Sequence, residues 1–189
     1  MKESHVFDPK NIAALESEER KTWQNPREII GQLDLKPTQI VADLGCGSGY
    51  FTIPISQKVK KVYGIDIQEE MLNFLKQKIQ TQRISNIETL LSKEYEIPLG
   101  NSSVDLLLSI NTLHEFRYKE KIINEIRRVV KPGGKVVIVD FKKESTGFGP
   151  PVSIRLSKEQ ARSLFAKGGL KVMKIHELKH HYLMAFQKE

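Results

Sequence analysis

Five short runs rich in Val, Ile and Leu recur along the chain, at residues 39–44, 61–66, 86–91, 104–110 and 135–141. Between several of them, apolar residues come instead at three- and four-residue spacing. Strand, helix and strand in succession fold as a crossover, and crossovers lay their strands in parallel. Residues 136–139, Val-Val-Ile-Val, are apolar at every position, so both faces of that strand need cover. Helices are therefore expected on both sides of one sheet. The spacing predicts a helix over 68–83, where Met71, Leu72, Leu75 and Ile79 share a face. It predicts another over 119–130, through Ile122, Ile123, Ile126 and Val130, stopped by Pro132 and Gly133. Residues 50–59 have room for one more, with Pro54 tolerable only near its first turn.

After Phe141 the pattern changes. Residues 142–155 are glycine- and proline-rich and read as a loop, and the helix that follows carries a capping box, Ser157 with Gln160, and ends at Gly168 and Gly169. Segments 170–178 and 180–188 read as two strands joined by a short turn, an antiparallel pair at the sheet edge. The first 36 residues are polar and helical, with Pro26 suited to a first turn, and should cap one end of the sheet. At 189 residues the chain can build one full-sized core. The expectation is a single domain over 1–189, with a cap over 1–36, a ligand-binding core over 37–142 and a substrate-side loop, helix and edge strands over 143–189. Its class is α/β, a doubly wound, Rossmann-like sheet of about seven strands, mostly parallel, with an antiparallel C-terminal hairpin at the edge.

Charge and cysteine usage narrow the partners. The net charge of +7 is spread over lysines interrupted by glutamates, the pattern of a solvated surface, so nucleic acid is disfavoured as a partner. Cys46 is the single cysteine, which excludes an internal disulfide and a thiolate zinc site, and no metal site is expected. The first ten residues hold no apolar targeting core, and no window approaches the ~18 apolar residues of a membrane span. A cytoplasmic location is the default expectation. Oligomeric state stays open, a homodimer being one option.

The loop after the first strand carries the chemistry. In Asp43-Leu-Gly45-Cys46-Gly47-Ser-Gly49 three glycines alternate, so the backbone can turn tightly and a ligand can reach main-chain N–H groups at a helix start. Asp66 ends the second strand 21 positions after Gly45, the spacing at which a carboxylate accepts both ribose hydroxyls of a nucleoside. Together they imply an adenosine-containing cofactor. A dinucleotide fingerprint would put its third glycine where Tyr50 stands, and no Gly-Lys-Ser/Thr closes a phosphate loop. Asp43 also argues against a pyrophosphate, because a carboxylate repels phosphate and favours an ammonium or sulfonium.

Residues 41–49 (VADLGCGSG), 64–66 (GID), 97–116 (IPLGNSSVDLLLSINTLHEF) and 126–141 (IRRVVKPGGKVVIVDF) together resemble the class I S-adenosylmethionine-dependent methyltransferases, in the small single-domain branch that includes quinone-biosynthesis methyltransferases. The resemblance implies S-adenosyl-L-methionine as cofactor, S-adenosyl-L-homocysteine as product and a small-molecule methyl acceptor. Gly45, Cys46, Gly47 and the third glycine, Gly49, would then form the cofactor loop, with Asp43 holding the amino group and Asp66 the ribose. Ile67 and Met71 would flank the adenine, Lys93 or Glu94 would stand near its amino group, and Asn111 would lie by the methionine end. The acceptor would enter over residues 111–116. There His114 and Glu115 are candidate catalytic groups, able to deprotonate an acceptor, with packing of the crossover loop as the equally weighted alternative. Asp140 either faces the site or satisfies loop N–H groups. His176, His180 and His181 are expected at the surface or facing a partner. A non-catalytic S-adenosylmethionine-binding regulator and an RNA methyltransferase are the rival readings.

Overall fold

A computed structural model describes residues 7–189. A 3-10 turn at Pro9–Asn11 and three short helices, α1 (Ile12–Leu15), α2 (Glu18–Trp23) and α3 (Pro26–Gly31), precede the first strand. Ser17 and Asn25 accept hydrogen bonds from the first-turn backbone of α2 and α3, and Pro26 opens α3. There follow β1 (Ile40–Leu44), α4 (Thr52–Ser56), β2 (Lys61–Asp66), α5 (Glu69–Thr81), β3 (Ile87–Leu91) and β4 (Val104–Ile110). The chain finishes with α6 (Lys119–Val129), β5 (Val130–Phe141), α7 (Lys158–Lys167), β6 (Leu170–Glu177) and β7 (His181–Lys188). The capping box of α7 is formed.

The seven strands make one sheet in the order β3-β2-β1-β4-β5-β7-β6. β1 to β5 pair in parallel, while β7 is antiparallel to both β5 and β6. From β1 the chain moves outward through β2 and β3, then returns to place β4 on the other flank. The order therefore reverses between β1 and β4, and the crevice for a ligand opens at their carboxyl ends. Side chains alternate between two cores. Ala42, Leu44, Leu107 and Ile138 face α6 and α7, whereas Val41, Leu106, Leu108 and Val137 face α3 and α4.

One expectation about elements needs adjusting. The fifth strand does not start at Lys135: Val130 pairs with Val104, and the register jumps so that Lys135 meets Leu106, which keeps the Lys-Pro-Gly-Gly segment within the strand as an irregularity. The antiparallel C-terminal hairpin lies at the sheet edge as expected, with β6 outermost. β7 sits between β5 and β6, and its residues Tyr182, Leu183 and Met184 are buried. Among the described residues no helix is long and apolar enough to cross a membrane.

Candidate functional site

The glycine loop is fixed from beneath by backbone. Gly45 and Cys46 N–H both donate to the Ile65 carbonyl, at 2.7 and 3.0 Å, which ties the end of β1 to β2. Gly45 has φ +78°, and a Cβ there would lie 2.4 Å from Thr112, so the turn requires glycine on both counts. Asp66 then clasps the loop. One carboxylate oxygen accepts the Gly47 N–H at 2.8 Å and the other the Gln68 N–H at 2.9 Å. Each oxygen keeps a further lone pair for a ligand hydroxyl. Burial raises the Asp66 carboxyl above its usual range, against the pull of those N–H groups.

Asp43, buried under the loop, accepts the Thr52 hydroxyl at 2.6 Å, so the start of α4 orients it. Burial pushes its pKa up to about 7, with Thr52 opposing, Asp66 adding to the rise and Arg20 drawing it down. Arg20, on α2, faces the same cavity and is 6% exposed. Burial lowers its pKa to about 10. Its guanidinium donates twice to Gln24 Oε1, at 3.0 and 2.9 Å, and once to the Leu15 carbonyl at 2.8 Å, and lies 4.1 Å above the Tyr50 ring. No carboxylate forms an ion pair with it among the described residues. Two of its five N–H groups are left to meet a ligand. Glu16 and Asp43 act on it only from beyond contact distance, so an anionic ligand that pairs with it directly offsets part of the cost of its burial.

Gln24 carries the link onward. It and Asn111 exchange amide hydrogen bonds, each 3.0 Å, across 87 residues of sequence, and Asn111 holds a left-handed φ of 56° at the end of β4. Beyond Asn111 the crossover loop presents His114 and Glu115. Asp140, at the end of β5, accepts from the His114 backbone N–H at 3.0 Å, contacts Nδ1 of its ring at 2.8 Å and accepts the Phe141 N–H at 2.8 Å. Of the two alternatives for Asp140 the structure shows the second: it satisfies the N–H groups of Phe141 and His114, is 1% exposed and does not line the cavity. Nε2 of His114 lies 3.9 Å from Glu115 Oε1. Burial disfavours the His114 imidazolium, but the Asp140 carboxylate more than offsets it and the pKa is raised. Burial, with Asp66 and Asp140 adding their charge, pushes Glu115 up to about 7 although His114 opposes.

The cavity they border encloses about 870 Å³, within the ~300–1,000 Å³ of small-molecule sites. Asp43, Gly45, Cys46, Gly47, Asp66, Ile67, Met71, Glu94, Asn111, His114 and Glu115 all line it. Gly49 does not. A Cβ at Gly49 would meet Leu75 Cδ1 at 2.5 Å, so its contribution is close packing against α5 with φ +90°. Cys46 packs with Leu72 and Leu75, and burial raises its thiol pKa, which leaves it an inert small residue. Part of the cavity wall is aromatic. The Trp23 and Phe148 rings lie 4.7 Å apart, tilted by 31°, and Phe141 lies 5.9 Å from Trp23, all three lining the space. Arg155, itself buried, donates to the carbonyls of Lys142, Glu144, Phe148 and Pro150 and so ties down the loop that supplies Phe148.

His181 corrects its expectation. It is 1% exposed, 4.3 Å from the Phe141 ring and stacked on Trp23, and burial lowers its pKa to about 3, so it is a neutral part of the wall's backing. Sequence reasoning also missed Arg20, Gln24, Trp23 and Phe148. Arg20 stands in an acidic stretch three residues before the single tryptophan, which was the one signal available.

The model of a methyltransferase domain matches residues 42–138. A demethylmenaquinone methyltransferase of Bacillus cereus is 30% identical over 140 residues, 72% of this chain and 58% of its own length. The aligned region thus spans little more than half of that curated relative. The solved structure of a SAM dependent methyltransferase from Aquifex aeolicus superposes with a TM-score of 0.92 at 31% identity, covering 97% of this chain and 100% of the Aquifex chain. The [4+2]-cyclase SpnF shares the fold, with a TM-score of 0.76 over 86% of this chain and 80% of its own, at 14% identity. That last likeness speaks to architecture alone.

Proposed function

Since the chain belongs to the S-adenosylmethionine-dependent methyltransferases, we propose that its cavity binds S-adenosyl-L-methionine and carries the methyl group to a small-molecule acceptor, releasing S-adenosyl-L-homocysteine. One observation carries the reading. A buried carboxylate, Asp43, and a buried guanidinium that forms no ion pair among the described residues, Arg20, border the same glycine-lined cavity, and an α-amino acid end brings one charge for each. Asp43 would receive the ammonium and Arg20 the carboxylate, with Gly45 to Gly47 backbone against the methionine chain. Asp66, already oriented by two N–H groups, has lone pairs left for the ribose hydroxyls, and Ile67 with Met71 offers an apolar seat for the base.

When bound, the cofactor supplies an electrophilic methyl on a sulfonium. What the protein adds is position and exclusion of water, and orientation of this kind is worth ~7–11 kcal/mol of a barrier. The cap helix α2 supplies both Arg20 and Trp23, so one element borders the cofactor end and the acceptor end. The wall of Trp23, Phe141 and Phe148 supports a planar, largely apolar acceptor. Demethylmenaquinone, named for the Bacillus relative, is the first acceptor to test, supplied in its reduced form.

Isothermal titration with S-adenosylmethionine and S-adenosylhomocysteine checks the cofactor half. Saturable binding of both is expected, weakened at least tenfold by Arg20→Met. Absence of binding to the parent protein removes the reading.

A further inference from the structure

We propose that Asp140 is a positioning residue for His114, holding the imidazole with its proton on Nδ1 so that Nε2 takes the proton of an acceptor hydroxyl and passes it to Glu115. The assignment rests on the methyltransferase reading and extends it to the class of acceptor: an aromatic hydroxyl compound, whose O–H is deprotonated before the oxygen, or the ring carbon beside it, takes the methyl group.

Geometry carries it. Asp140 makes three contacts, to the His114 backbone, to Nδ1 and to the Phe141 backbone, which fix both the position of the residue and the rotation of the ring. A carboxylate at 2.8 Å accepts a hydrogen bond and cannot donate one, so the facing nitrogen must carry the proton. The lone pair is then left on Nε2. His114, Glu115, Trp23, Phe141 and Phe148 line one cavity, and the His114 ring lies 6.3 Å from that of Phe141, so an acceptor held by the aromatic wall shares the space with the imidazole. At 3.9 Å, Nε2 and Glu115 Oε1 are joined by one water or by a small rotation of the glutamate. Glu115 is four times as exposed as the histidine, 21% against 5% of the side chain, and gives the proton a way out.

In the step, the acceptor oxygen, or the ring carbon that its deprotonation activates, bonds to the methyl carbon while the carbon–sulfur bond breaks and its electron pair stays on sulfur. The hydroxyl proton moves to Nε2, then to the Glu115 carboxylate, then to solvent. One proton leaves for each positive charge lost from sulfur, so charge balances.

Several charged groups surround this path. Lys119 of α6 acts on His114, Asp66 of β2 on Glu115, and Arg155 and His181 lie near Asp140. The tautomer therefore gives a cleaner readout than a pH profile alone. Imidazole ¹⁵N spectra of the folded parent are expected to show His114 protonated at Nδ1 and bare at Nε2 near pH 8. Asp140→Asn is expected to lower the His114 pKa by more than one unit, and Asp140→Ala to shift the proton toward Nε2. If Asp140→Ala does not fold, the parent spectrum and the Asp140→Asn titration decide. A parent ring protonated at Nε2, or a His114 pKa unchanged in Asp140→Asn, overturns the proposal.

Turnover tests the other half. S-Adenosylhomocysteine release is followed with catechol, 1-naphthol and 1,4-dihydroxynaphthalene as probe acceptors. His114→Ala is expected to reduce it by about 10²–10⁴-fold while leaving S-adenosylmethionine affinity near the parent's. Glu115→Gln should reduce it less and move the pH at half-maximal rate. Binding of S-adenosylmethionine without methylation of any probe, or equal turnover in His114→Ala, overturns the proton path. Failure to bind S-adenosylmethionine at all overturns the methyltransferase reading instead.

Discussion

Gly45 shows how a single residue can be required twice, once by its backbone angle and once by the Thr112 side chain that fills the space where a Cβ would stand. Gly45→Ala should therefore cost the ~1–2 kcal/mol of a left-handed non-glycine residue and more for the clash, read as a lowered urea midpoint, together with loss of S-adenosylmethionine binding. Asp43 makes a second prediction, in pH. Its pKa in the folded chain, about 7, exceeds that of an unfolded aspartate, so the folded state holds the extra proton and the stability this gives declines as pH rises from ~4 through 7. A cationic ligand reverses the preference, because it pairs with the ionised form. Affinity for S-adenosylmethionine should then rise with pH up to about 7, by as much as tenfold per unit from this group, with proton release on binding. Calorimetry in two buffers of different ionisation enthalpy measures the release, and Asp43→Asn should abolish the share that belongs to Asp43. The glycines, Asp43 and Asp66 were legible in the sequence because their roles depend on local backbone and on a fixed strand-helix-strand spacing. Arg20 was not, and Asp140 only as an acceptor for nearby N–H groups, since the cavity beside Arg20 and the His114 ring beside Asp140 are partners that only the folded sheet brings near.

At the scale of elements, helices were read well and strand limits less so. A helix stop such as Pro132-Gly133 is written in the chain itself, whereas the start of β5 at Val130 is decided by Val104 on another strand. The inner place of β7 had a signal that period-two reasoning passed over: Tyr182 to Phe186 form a nearly continuous apolar run, as a strand with neighbours on both sides needs, while β6 carries Lys171, Lys174 and Glu177. Two substitutions separate what elements do. Ser157→Ala removes the N-cap of α7 and should cost about 1 kcal/mol in a thermal melt while leaving cofactor binding untouched. Arg155→Met frees the loop that carries Phe148, and should impair acceptor turnover while S-adenosylmethionine still binds as to the parent.

Across the whole molecule, the N-terminal helices join what the strand ends keep apart. Glu16 reaches Ser48 in the glycine loop and Lys78 on α5, Arg20 covers Tyr50, and Trp23 meets the loop after β5. Ligand contact with Arg20 should tighten all of these at once. Amide exchange over residues 9–31 is expected to slow when S-adenosylmethionine is added, and to slow less in Arg20→Met, as mass spectrometry of deuterated peptides would report. Short helices before the first strand agree with the polar, helical reading of this segment, whose first six residues lie outside the described ones, yet which of its side chains turn inward depends on surfaces far along the chain. The Gln24–Asn111 pair gives that dependence a consequence over longer times. Each amide offers one donor and takes one acceptor, so converting either to its acid sets oxygen against oxygen and leaves the pair half made. Lineages descending from a common ancestor should thus alter the two positions in concert or retain both, a signature of co-inheritance that an alignment of descendants can score.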